Sequence, residues 1–190
     1  MDTGLLRTKR HGRGKENETT RKGKMMKMDA KAYNNRGRAK AEKGDLDGAI
    51  ADFTQAYLNR GRAKAAKGDH DGAEADFTEA IRLDPKNAAA YNNRGNAKFE
   101  KGNYNGAIDD YTEAIRFKNR LRDMGAQAYY NRGAAKRAMG NLNSAIEDYT
   151  EAIRLNPKYV AAYNSRGTAK LAKGDLDGAR ADFARAEKGK

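Results

Sequence analysis

The chain has 190 residues, 34% of them charged, and a net charge of +13. It contains no cysteine, which excludes disulfides and thiol chemistry, and no apolar run near the roughly 18 residues of a membrane-spanning helix. Aliphatic residues are too sparse for one thick core. A stack of thin seams, each closed by neighbouring units, suits this composition better.

Residues 1–29 mix Gly, Lys, Arg, Thr and Glu without apolar periodicity. They predict a basic, disordered tail, because nothing in them offsets the entropy of ordering. Leu5 and Leu6 are followed by no longer apolar core, so no cleaved secretory leader is expected and the expected location is cytoplasmic. His11-Gly-Arg-Gly-Lys15 lacks the spacing of a phosphate loop and reads as solvated tail. Met25, Met26 and Met28 read as packing on the first helical unit, not as a metal site.

From residue 30 onward the chain repeats itself. Tyr-x-x-Arg-Gly stands at residues 33–37, 57–61, 91–95, 129–133 and 163–167, with glycine spacings of 24, 34, 38 and 34. A period near 34 predicts stacked helix–turn–helix units. The first unit has a helix over about 31–43, ended by Gly44 in a left-handed cap, and a second helix capped by Asp45 or Asp47. The Asp-Leu-Asp-Gly there lacks the rest of a calcium loop and reads as capping. Units two and four close at Asp84-Pro85 and Asn156-Pro157. In each second helix, small and aromatic residues share one face, as Ala107, Ile108, Tyr111, Ala114 and Ile115 do.

The repeated pattern of aromatic, Gly, Ala, aromatic, Ala and Pro resembles the tetratricopeptide repeat. Unit two shows it as Tyr57, Gly61, Ala73, Phe77, Ala80 and Pro85, and unit four as Tyr129, Gly133, Ala145, Tyr149, Ala152 and Pro157. The resemblance implies an all-α, right-handed superhelical solenoid over 30–190, in five repeats of about 30–56, 57–87, 88–125, 126–158 and 159–190. It further implies a non-catalytic scaffold whose first helices line a concave groove for a protein or peptide. Carried over by position, that groove holds Asn34, Arg38, Ala41 and Glu42, then Leu58, Arg62 and Ala65. It continues with Asn92, Asn96, Phe99 and Glu100, then Tyr130, Ala134 and Arg137, and ends with Asn164, Thr168 and Leu171. Phe99 and Tyr130 are the expected apolar anchors; the competing reading is plain exposed helix surface. The branch of the family that grips chaperone carboxylates needs a lysine and an arginine where this chain has Ala161 and Ser165, which argues against that ligand.

Several features depart from the family pattern. Arg36, Arg60, Arg94, Arg132 and Arg166 replace the usual large apolar residue before the glycine. Each unit also carries an aspartate before the aromatic of its second helix: Asp52, Asp76, Asp110, Asp148 and Asp182. A charge in a packing seam is costly unless paired, so a structural ladder of Arg–Asp pairs is expected; free guanidiniums would instead form an anion-binding track. Unit one is ten residues short. One continuous helix over about 47–66 is expected there, leaving a seam that a second copy of the chain would fill. Unit three has four extra residues and no proline. Its second helix is expected to run through Phe117, Leu121 and Met124 to Gly125, displaying a basic knob of Arg116, Lys118, Arg120 and Arg122. In unit five, Arg180 replaces the apolar Ile108 and Ile146 of units three and four, as expected of a capping helix.

Nothing in the sequence supports catalysis or a cofactor. The two histidines, His11 and His70, lie in the tail and at a turn, and the carboxylates recur by repeat. The second functional reading is nucleic-acid or other polyanion binding, through the tail and the knob.

Overall fold

The computed structural model describes residues 29–117 and 122–189. Among them are nine α-helices: α1 Ala30–Glu42, α2 Leu46–Ala65, α3 His70–Leu83, α4 Ala88–Glu100, α5 Tyr104–Arg116, α6 Arg122–Ala138, α7 Leu142–Leu155, α8 Val160–Ala172 and α9 Leu176–Lys188. Each helix packs on the next in the chain, and α2·α4, α4·α6 and α6·α8 also touch. The result is a solenoid of helix pairs with an inner row made of the second half of α2, then α4, α6 and α8.

Local chemistry sets the helix ends. Asp45, Asp69, Asn103 and Asp175 each accept the amide proton of the glycine three residues on, which satisfies one free donor of the first turn. Asp29 does the same for Ala32, at 2.8 Å, so it belongs to α1 as its cap, not to the tail. At the other end of α4, Gly102 takes φ +75°, a conformation that a side chain resists.

Seams between helices are thin. Tyr111 of α5 is buried against Gly95 of α4, and a Cβ added to Gly95 would lie 2.7 Å from a ring carbon. Phe77, Tyr111 and Tyr149 are the largest fully buried side chains, each flanked by buried alanines. Phe53 and Phe183, in the outermost units, are only half-buried.

The ring lies beside a charged cluster that recurs five times. Arg94 donates from Nε and Nη2 to Asp110 at 2.9 and 2.6 Å, and Lys98 meets the same carboxylate at 2.8 Å. Its guanidinium stands over the Tyr91 ring, 5.5 Å from the centroid. Arg132, Asp148, Lys136 and Tyr129 repeat the arrangement, as do Arg166, Asp182, Lys170 and Tyr163. So do Arg60, Asp76, Lys64 and Tyr57, and Arg36, Asp52, Lys40 and Tyr33. Every one of these aspartates is only 3% exposed. Burial pulls the carboxyls of Asp76 and Asp182 up, but the bonds from their arginine and lysine outweigh it and hold both below the ordinary value. For Asp52 the bond from Arg36 is the largest influence, and the result is again a depressed carboxyl.

Two junctions differ from the regular repeat. α2 is a single helix of 20 residues that carries both the second helix of unit one and the first helix of unit two. No Pro or Gly interrupts it between Ile50 and Arg60, and α1 touches no helix but α2 among those described. The second junction corrects the expectation of a helix running through Met124 to Gly125. α5 ends at Arg116, and a new helix starts at Arg122, placing Gly125 inside α6 and shifting the boundary between units three and four. Phe117, the residue after α5, packs on Tyr91 with centroids 5.8 Å apart. Arg116 pairs with Glu113, and the rest of the expected knob, like the expected tail and its methionines, lies outside the described side chains.

Three outcomes follow for stability. Gly95→Ala should lower the urea midpoint by the equivalent of about 1–3 kcal/mol, because the added methyl drives Tyr111 from its slot. Asp110→Asn, which strands Arg94 and Lys98, should cost about 3–5 kcal/mol in the same measurement. In acid, the unfolded chain takes up protons that the folded Asp52, Asp76 and Asp182 refuse. Their contribution is therefore whole above the unfolded carboxylate value of about 3.9 and is lost as pH falls through the lower folded values. Asp182→Asn should flatten that acid limb in a pH series of urea melts; an unchanged slope would show that the pair carries no linkage.

Candidate peptide groove

The inner row is where a ligand has access to several helices at once. A cavity of about 340 Å³ lies along it, lined by Arg62, Ala65, His70, Phe77, Asn93, Asn96, Ala97 and Glu100. A second, of about 190 Å³, is lined by Arg62, Ala88, Ala89, Asn92, Asn93, Ala114 and Gln127. Arg62 is exposed and forms a wall of both. Two polar atoms without a hydrogen-bond partner, His70 Nδ1 and Asn93 Nδ2, belong to residues lining the larger one. Each of these atoms is buried, so the cavity wall meets other atoms of His70 and Asn93.

The residues expected from position divide into three groups. Arg62, Arg137, Asn164 and Thr168 are exposed on α2, α6 and α8 and stand available. Asn92, Asn96, Phe99 and Tyr130 are already occupied. Asn131 of α6 donates to Asn92 Oδ1 and Asn96 Oδ1, both at 3.1 Å, and the Tyr111 hydroxyl donates to Asn96 Oδ1 at 2.8 Å. These amides tie one repeat to the next. Phe99 packs on Tyr104, with centroids 5.3 Å apart, and Tyr130 sits between Tyr149 and Tyr159 at 5.7 and 5.1 Å. Both rings are half-buried parts of a seam. Burial pushes the Tyr149 and Tyr159 hydroxyls up to about 12, so they stay protonated at neutral pH. The third group is Asn34 and Arg38. They are exposed on α1, which stands outside the inner row, and Asn34 lines a different cavity at the α1–α2–α3 junction.

The five ladder arginines do not line this groove with open forks. Each commits Nε and Nη2 to an aspartate, and Arg94, Arg132 and Arg166 give Nη1 to Thr78, Thr112 and Thr150 of the preceding repeat at 3.3, 3.1 and 3.0 Å. The sequence reading missed His70, Asn93 and Gln127 as lining residues. Asn93 carried a signal, since it is the residue before an arginine whose direction the seam fixes.

Models of the tetratricopeptide repeat match residues 30–57, 58–122 and 126–159. A search of curated proteins finds no match to the chain. Among solved structures, a crystal structure of MamA is 31% identical with a TM-score of 0.66, covering 80% of this chain and 93% of that one. The first such domain of Spaghetti (RPAP3), bound to the HSP90 peptide SRMEEVD, is 26% identical with a TM-score of 0.59, covering 64% of this chain and 93% of that one. The pilF protein of Pseudomonas aeruginosa, 18% identical with a TM-score of 0.68 over 85% of this chain and 76% of that one, shares the fold. With its period, its paired helices and its glycine–ring seams in place, this chain belongs to the tetratricopeptide repeat family.

Proposed function

We propose that the chain is a non-catalytic scaffold that holds a protein or peptide partner along the inner row of α2, α4, α6 and α8. One observation carries the reading: the 340 Å³ cavity joins an exposed cation, Arg62, and an exposed acid, Glu100, with the polar Asn93 and Asn96 between them on a wall of helices. Such a wall suits a peptide with polar groups in alternation, held by Arg62 and Gln127 and flanked by Arg137, Asn164 and Thr168. The Asn92–Asn131–Asn96 bridge supports the groove by fixing the spacing of α4 and α6, and leaves peptide contact to its neighbours. Relatives such as the Spaghetti domain hold a chaperone peptide. Here Ala161 and Ser165 stand where a carboxylate grip needs cations, so the partner is a different sequence.

The test is capture of partners by the full chain at low and high salt. The groove reading expects a partner retained at high salt, weakened about tenfold or more by Arg62→Ala with Asn164→Ala, and retained when residues 1–29 are removed. A partner lost steeply with salt and lost on that removal, but indifferent to the groove pair, would replace this reading with polyanion binding.

A further inference from the structure

The missing ten residues of unit one leave a hole in the stack. It is a cavity of about 660 Å³ between the start of α1, the middle of α2 and the end of α3. Phe53, Ala56, Tyr57 and Leu83 form its apolar floor, and Lys31, Arg60 and Arg82 stand around it; Arg82 pairs with Glu79 at 2.9 Å, and no carboxylate is among the lining residues.

Arg60 shows what the hole lacks. Its side chain is 53% exposed, against 18%, 18% and 15% for Arg94, Arg132 and Arg166. Those three give Nη1 to a threonine on the preceding repeat's second helix. The matching residue for Arg60 is Thr54, which lies on the same helix and donates to the Ile50 carbonyl at 2.8 Å. Arg60 therefore binds Asp76 through one edge and keeps the other turned to the cavity.

We infer that this cavity is a second binding site, for an acidic amphipathic peptide segment of a partner protein. Its apolar side chains would cover Phe53, Tyr57 and Leu83, and a carboxylate would take the open edge of Arg60, in place of the absent helix end. Charge complementarity selects this occupant. Residues 1–28 carry nine Lys/Arg against three Asp/Glu and so meet like charge, and a second copy, at +13 overall, approaches against net repulsion.

The probe is a short fluorescein-labelled peptide with leucine at i, i+3, i+4 and i+7 and glutamate on the opposite face, read by anisotropy against the full chain. It should bind saturably, and its lysine counterpart should not. Arg60→Ala and the exposed Arg82→Glu should each weaken it about tenfold, Asn34→Trp should block it, and Lys158→Glu, remote from the cavity, should leave it within about twofold. Equal affinity for Arg82→Glu, Asn34→Trp and the unaltered chain overturns the site, as does an equal loss with Lys158→Glu. Hydrogen exchange in which Asn34→Trp deprotects residues 1–28 assigns the cavity to the chain's own segment and overturns the inference. A dimer in sedimentation that Asn34→Trp dissolves assigns it to a second copy and does the same.

Discussion

A carboxylate buried in every seam constrains the rest of this structure. An aspartate that is 3% exposed is tolerable only if its charge is met at short range, and each one has a two-pronged arginine on one side and a lysine on the other. The arginine in turn stands over the ring of the tyrosine three residues before it, a cation–π contact. Four residue types are thereby locked into one spacing, and the glycine beside the arginine lets the partner ring close over them. Changing any one of the four strands the other three, so the unit repeats as a block.

That block also couples repeats. The third guanidinium nitrogen of Arg94, Arg132 and Arg166 reaches back to a threonine on the preceding helix, and Asn131 reaches back to Asn92 and Asn96. Outside the helices, Lys101 bridges to Asp71 and Glu74 of the unit before it. Units three to five are thus tied to their predecessors by polar bonds as well as by alanine contacts, in keeping with nearest-neighbour stability in a linear stack. Phe53 and Phe183 stay half-buried, and Arg180, exposed on α9, keeps the terminal face polar.

Much of this was legible in the residues, for physical reasons that can be named. The period exposed the pairing of helices, and an arginine and an aspartate at one fixed separation in a packed seam had to meet. Without Pro or Gly between Ile50 and Arg60, α2 had nothing to break it. The lysine of the cluster was less visible, since a lysine four residues after an arginine also reads as solvated helix surface. For the groove asparagines, position identified their face, but not that Asn131 and Tyr111 bond the side-chain oxygens of Asn92 and Asn96. The end of α5 at Arg116 was hidden because Phe117, Leu121 and Met124 keep helical spacing in the sequence, while Phe117 meets the ring of Tyr91, distant in sequence. Local periodicity carries no information about such a contact.

The shortened first unit divides the molecule's surface in two. A full-length unit would have laid α1 alongside the inner row, with Asn34 and Arg38 extending the groove by one helix. Fusing two helices into α2 instead leaves α1 packed, among the described helices, on α2 alone and places Asn34 at the junction cavity. The same shortening leaves Thr54, the residue that matches Thr78, Thr112 and Thr150, on Arg60's own helix, where it bonds the Ile50 carbonyl instead of Arg60. The first unit thus presents a different surface from the units that follow it: α1 contributes to the junction cavity, and Arg60, bonded to Asp76 through Nε and Nη2, lines the same cavity.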